Sequence, residues 1–177
     1  MVIALFLCGC TATVHSFNDG KTNAHVERMN GNRLSGGVWR LELDAQRYEK
    51  AGQATYSLFV IYSGPGFVAI ESGKSLSLTI DGRRAEIDGS GSARHREFVL
   101  PGLVEETAFY HDIDTEMIRE IAYAHEVTVE IKGTNSVLQR YFKEKNFSNF
   151  QLFYENIVIK DASRKSTSPL DAKRVAQ

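Results

Sequence analysis

A β-hairpin is encoded in residues 76–87, which read LSLTIDGRRAEI. Apolar and polar residues alternate on both sides of the pair Asp81-Gly82, as they do in half-buried strands. An Asp-Gly pair between two alternating runs is typical of a two-residue type I′ turn, because both turn positions need a positive φ angle. The stretch therefore predicts two antiparallel strands joined at Asp81-Gly82.

Other strand patterns lie on both sides of this hairpin. Residues 39–43 alternate between apolar and charged side chains, and residues 54–62 carry large apolar side chains on both faces. The second pattern predicts a central, well-buried strand. Shorter strands are predicted at 97–100 and 106–111, separated by Pro101-Gly102. The first half of the folded region is thus expected to be mainly β.

Helical periodicity appears in the C-terminal half. Asp114 is predicted to cap a helix in which Ile118, Ile121, Ala122 and His125 recur at helical spacing. A strand is then expected over 127–131, followed by a turn and by a second strand or short helix over 138–142.

A second helix is predicted from Ser148, because Ser148 and Gln151 fit a capping box and Phe147 can pack onto Leu152. Its inward face would carry Phe150, Phe153, Tyr154, Ile157 and Val158. The alternation of Phe150, Leu152 and Tyr154 permits a strand instead.

These patterns predict an α+β fold: one twisted, mainly antiparallel sheet of six to eight strands, packed by two helices from the C-terminal half. A β-sandwich with peripheral helices is the alternative. The globular domain is expected over 38–160. Polar and glycine-rich residues predict a flexible tether over 10–37, and the composition of 161–177 predicts a disordered tail.

The charge distribution excludes a typical nucleic-acid binder. The formal net charge is −1, and the basic residues are spread among acidic ones rather than collected on one stretch. The clusters Arg83-Arg84 and Arg94-His95-Arg96 could meet an anionic lipid headgroup or lipopolysaccharide. Solvated hairpin ends are the simpler interpretation of both clusters.

The N-terminus carries Leu7-Cys8-Gly9-Cys10 directly behind the apolar run 2–7. This pattern resembles the bacterial lipobox. The resemblance implies that residues 1–9 are a signal peptide, that the chain is cut before Cys10, and that Cys10 carries acyl chains such as palmitate. Thr11 follows Cys10 where an Asp would retain the protein, which implies the outer membrane, facing the periplasm. The apolar run is short and no cation precedes Lys21, so we expect the signal to begin upstream of Met1.

No catalytic residue, metal ligand or cofactor is predicted. The only chemically suggestive stretch is 111–114, where an imidazole at His111 lies beside Asp112 and Asp114. An imidazole beside carboxylates can hold a metal or act as a general base, but no second pair of ligands stands at a defined spacing. Most aromatic side chains are expected in the core, and an exposed surplus could bind a glycan, peptide or lipid.

Three functions follow from these patterns. The leading prediction is a membrane-anchored, non-enzymatic envelope lipoprotein that binds or assembles with another envelope protein or a glycan. The alternative is a small metal-dependent or hydrolytic enzyme that uses His111 and nearby carboxylates. The third is a soluble cytosolic domain whose lipobox pattern is accidental.

Overall fold

A computed structural model describes residues 13–92, 97–100, 103–134 and 136–166. The strands, in chain order, are β1 (Thr13–Asp19), β2 (Ala24–Asn30), β3 (Arg40–Lys50), β4 (Gln53–Gly64), β5 (Ser72–Ile80), β6 (Arg83–Ser90), β7 (Glu97–Leu100), β8 (Leu103–Tyr110), β9 (Val127–Lys132) and β10 (Val137–Tyr141). They form two antiparallel sheets. One has the order β1-β2-β3-β4-β8-β7, and the other has the order β10-β9-β5-β6.

The turn between β5 and β6 has the conformation that the sequence predicts. Asp81 and Gly82 have φ angles of 46° and 82°, so both occupy the left-handed region. Leu76 pairs with Ile87, and Ile80 pairs with Arg83 across the hairpin. The predicted hairpin is confirmed.

Two helical segments complete the described fold. Helix α1 (Thr115–Tyr123) begins after Asp114, whose side chain accepts a hydrogen bond from the Glu116 backbone N–H at 3.0 Å, so the predicted cap is confirmed. The second segment is continuous and runs through α2 (Glu144–Phe153), a π-helical turn (Tyr154–Val158) and α3 (Ile159–Ser166).

The buried faces of the helices agree with the predicted periodicity at most positions. Ile118, Ile121 and Ala122 of α1 are buried, as are four of the five residues predicted on the inward face of the second helix: Phe150, Phe153, Ile157 and Val158. The placement of His125 on the helix is wrong, because α1 ends at Tyr123 and the His125 side chain is 97% exposed.

The predicted start of the second helix at Ser148 is also wrong. The helix begins four residues earlier, where the Asn146 side chain accepts a hydrogen bond from the Lys143 backbone N–H at 2.8 Å. Ser148 lies inside the helix and donates to the Glu144 carbonyl instead. Lys143 therefore stands at the cap position that the sequence assigned to Ser148, and Asn146 has the role assigned to Gln151.

The flexible tether predicted over 10–37 is replaced by ordered structure from Thr13 onward. Strands β1 and β2 form a hairpin, and β2 pairs with β3. Ala24, Val26 and Met29 are buried, whereas the described side chains of β1 are largely exposed. Because β1 lies at the edge of its sheet, it needs no alternating apolar residues. Residues 10–12 lie outside the described part of the chain.

The disordered tail predicted over 161–177 is wrong for its first six residues. Helix α3 extends to Ser166, and Asp161 is buried against Arg47 of β3. This ion pair supplies a tertiary contact that composition does not reveal. Residues 167–177 lie outside the described part.

The architecture is α+β and mainly antiparallel, with its strands in two sheets rather than the predicted one. A single hydrophobic core draws side chains from both sheets and both helical segments. Its largest fully buried members are Met29, Leu41, Leu43, Leu58, Leu76, Leu78, Tyr110, Ile118, Ile121, Ile131, Phe150 and Phe153.

Candidate functional site: the His111 cleft and an aromatic row

An open cleft of about 500 Å³ lies beside the predicted candidate residues. Its walls are residues 86–90 at the end of β6 and residues 111–114 between β8 and α1, with Met117 of α1 at one side. The fold therefore brings His111 and Asp112 into one cleft with carboxylates that are distant in sequence, Glu86 and Asp88. We call this feature the His111 cleft.

The residues at this cleft have defined structural roles. The His111 ring lies parallel to the Phe109 ring, with 5.9 Å between centroids and 6° between planes. Asp112 is exposed and has a φ angle of 57°, a conformation that Asp tolerates better than most residues. One carboxylate oxygen of Asp114 accepts the hydrogen bond that caps α1. Within the described residues, no three His, Cys, Asp or Glu side chains are placed to hold one metal ion.

A row of aromatic rings leads from this cleft across one face of the six-stranded sheet. The Phe109 ring lies 4.4 Å from the Phe59 ring, and the Arg28 guanidinium lies 5.0 Å from the Phe59 centroid and 6.0 Å from the Phe17 centroid. These distances permit cation–π contacts on both rings. We call Phe17, Arg28, Phe59, Phe109 and His111 the aromatic row.

The row is exposed at its ends and buried in its middle. Phe17 is 43% exposed and His111 is exposed, whereas Phe59 is 5% exposed. The register explains the alignment, because Phe59 pairs directly with Phe109 and paired residues share a face of the sheet. Sequence reasoning missed the row, since its members come from β1, β2, β4, β8 and the loop after β8.

Nine aromatic residues of the sequence are candidates for the core or for a binding surface, and most of them lie in the core. Tyr56, Tyr62, Tyr110, Phe150 and Phe153 are buried. Phe67 and Tyr141 are exposed, and Phe147 and Tyr154 are partly buried against the core. Only Phe67 and Tyr141 therefore remain as surface candidates from that set.

A buried polar network lies on β3, near the start of α2. Asp44 accepts a hydrogen bond from the Asn32 backbone N–H at 3.0 Å, while its other carboxylate oxygen has no hydrogen-bond partner among the described residues. Burial, together with the nearby Glu42 carboxylate, raises the pKa of Asp44 to about 7. At neutral pH this carboxyl is therefore close to its titration midpoint.

Asn32 connects this network to α2. Its side-chain oxygen accepts hydrogen bonds from the amides of Asn146 and Asn149, at 2.8 and 2.9 Å. Its own amide donates to the Leu43 carbonyl. The first turns of α2 are thereby held against β3 by buried amides, which need such partners because unpaired buried polar groups are costly.

Both arginines of the cluster at the β5–β6 hairpin form ion pairs. Arg83 lies 2.6 Å from Glu120, and Arg84 lies 2.8 Å from Glu130. These contacts agree with the simpler interpretation of a solvated hairpin end. The second cluster, Arg94-His95-Arg96, lies outside the described residues, as does the predicted lipidation site Cys10.

Comparison of the chain with protein families, curated proteins and solved structures returned no match. Of the helices in the described residues, none is both long and apolar enough to cross a bilayer.

Proposed function

We propose that this protein is a lipid-anchored envelope protein that acts as a non-enzymatic binding or assembly module. The observation that carries the proposal is the lipobox-like stretch Leu7-Cys8-Gly9-Cys10 behind an apolar run. Acylation would occur at Cys10, and Thr11 directs the mature protein to the outer membrane, facing the periplasm. The membrane is thus one partner, and another envelope protein or a glycan is the second.

The aromatic row supports a binding role. Its exposed ends, Phe17 and His111, offer ring surface that a partner can contact with little loss of side-chain entropy. Arg28 adds a cation between the Phe17 and Phe59 rings, which favours contacts with anionic or hydroxyl-rich groups. At the His111 cleft, the described contacts of His111 and Asp114 are a ring stack and a helix cap.

Detergent phase partitioning of the protein expressed in a two-membrane bacterium tests the anchor. The wild type should enter the detergent phase, because each buried CH₂ of an acyl chain contributes about 0.8 kcal/mol. Cys10→Ser should remain in the aqueous phase or stay uncleaved. Cys8→Ser is the matched control and should behave like the wild type, since Cys8 leaves with the signal peptide. Wild-type protein found only in the aqueous phase would refute the proposal.

A second candidate function is a small metal-dependent or hydrolytic enzyme. It is favoured by the cleft that His111 and Asp112 share with Glu86 and Asp88. Under our leading proposal, His111 has no catalytic role and the purified protein contains no stoichiometric divalent metal. A bound metal that is lost in His111→Ala would favour the enzyme instead.

A further inference from the structure

A small cleft of about 280 Å³ lies where the end of β2 meets the start of α2. Arg33, Lys143 and Lys145 line it, and none of the acidic residues in the described ranges does. Its floor includes the buried amides of Asn146 and Asn149, which Asn32 holds in place. Glu144 stands between the two lysines in sequence but does not line the cleft. We call this feature the basic cleft.

Three cations without a salt-bridge partner among the described residues meet at the basic cleft, whereas several other surface cations are paired. Arg40, Arg83, Arg84, Arg119 and Lys132 all lie within salt-bridge distance of a carboxylate. Arg33, Lys143 and Lys145 form no salt bridge with any residue of the described ranges. Three cations around one cleft, without counter-charges, favour an anionic ligand. Backbone N–H groups at the start of α2 add to the positive potential.

The described chain begins close to this cleft, three positions after Cys10. Thr13 pairs with Asn30, and the next residue, Gly31, lines the basic cleft. Thr13 is three positions after Cys10, so the two residues can lie at most about 10 Å apart. An acylated Cys10 would therefore hold this corner of the domain close to the bilayer surface.

We infer that the basic cleft binds the phosphate of an anionic phospholipid in the membrane that carries the Cys10 acyl chains. This inference rests on the proposed lipid anchor. An acyl anchor combined with a basic surface is a common pair of membrane signals. In this protein the basic cleft would be the second signal, and it would orient the domain with β1 and the start of α2 toward the lipid headgroups.

Vesicle flotation of the unacylated full chain, Cys8→Ser/Cys10→Ser, tests the cleft without the anchor. The chain should float with vesicles that contain phosphatidylglycerol and phosphatidylcholine, and not with phosphatidylcholine alone. Replacing Arg33, Lys143 and Lys145 with Gln should lower the partition coefficient about fivefold per cation, or on the order of a hundredfold in total. Replacing Lys21, Lys50 and Lys160 with Gln removes the same net charge and should have a much smaller effect.

Three results would overturn the inference. They are unchanged flotation of the cleft variant, an equal loss in the control variant, and binding of soluble glycerol phosphate that accounts for the whole affinity. Circular dichroism melts check that each variant folds. If the triple variant does not fold, the single variants Lys143→Gln and Lys145→Gln replace it in the flotation experiment.

Orientation is tested by coupling Cys10 of the Cys8→Ser chain to a maleimide lipid in vesicles. Acetylation of Lys143 and Lys145 should slow several-fold when phosphatidylglycerol is present, while Lys160 is unaffected. Equal acetylation in both kinds of vesicle would contradict the inference. Because this anchor is chemical, the result is independent of whether the cell acylates Cys10.

Discussion

The guanidinium of Arg47 and the carboxylate of Asp161 lie 2.6 Å apart in the interior, although 114 residues separate them in sequence. Both residues are at most 6% exposed. Burial alone would lower the pKa of Arg47, but its hydrogen bonds with Asp161 and Glu49 raise it above its usual value. Asp161 also accepts a hydrogen bond from the Tyr56 hydroxyl, so it joins α3 to both central strands.

Asp161→Ala should destabilise the protein by about 3 kcal/mol, because removal of one partner leaves the other charge buried. This is the lower end of the usual range, since Arg47 keeps its contacts with Glu27 and Glu49. Urea denaturation measures the loss. Glu116→Gln, which breaks the exposed pair with Arg119, is the control and should leave the midpoint nearly unchanged. Equal midpoints for Asp161→Ala and the wild type would mean that the contacts of Asp161 with Arg47 and Tyr56 add no net stability.

Asp44 should make the stability depend on pH. Burial raises its pKa from near 3.8 to about 7 in the folded protein. Between these values the folded state holds a proton that the unfolded state has lost, so stability falls as pH rises from about 4 to about 7. The free energy of unfolding of Asp44→Asn relative to the wild type should therefore grow across this window, by up to about 4 kcal/mol.

Urea titrations of both proteins at several pH values measure this difference, and contributions from other groups cancel in it. Parallel pH profiles for the wild type and Asp44→Asn would show that Asp44 is ionised throughout.

Phe153 is a second test of how the C-terminal helical segment contributes to the core. It is fully buried, and Phe153→Ala should cost about 3–5 kcal/mol through lost burial and the cavity that remains. Its neighbour Leu152 is 41% exposed, so Leu152→Ala should cost less than about 1 kcal/mol. Thermal melts compare the two. A melt of Phe153→Ala that matches the wild type would place this helix outside the cooperative unit.

The sequence predicts those features of the fold that depend on neighbouring residues. Asp81-Gly82 identifies its hairpin because few other pairs adopt two positive φ angles, and Asp114 identifies a helix start because its carboxylate caps a residue two positions away. Strand β1 was not predictable in this way. Its described side chains are exposed, and it is ordered by backbone pairing with β2, which leaves no apolar pattern.

For the candidate site too, only features that depend on neighbouring residues could be predicted from the sequence. His111 and Asp112 are adjacent in sequence, so their shared cleft could be anticipated, whereas Glu86 and Asp88 reach it only through the packing of two sheets. The aromatic row depends on strand register, and the basic cleft depends on contacts of α2 with Asn32 and Arg33, which follow β2. The start of α2 was misplaced because its capping box joins Lys143 and Asn146, rather than Ser148 and Gln151.

The most direct test of the proposed function is the mass of the N-terminal peptide of the protein purified from a native-like two-membrane host. A lipid anchor predicts a peptide that begins at Cys10 and carries a diacylglyceryl group on the thiol, with an additional acyl chain on the amino terminus. The same peptide from Cys10→Ser should be absent. A wild-type peptide in which residues before Cys10 are still present and the Cys10 thiol is unmodified would contradict the account.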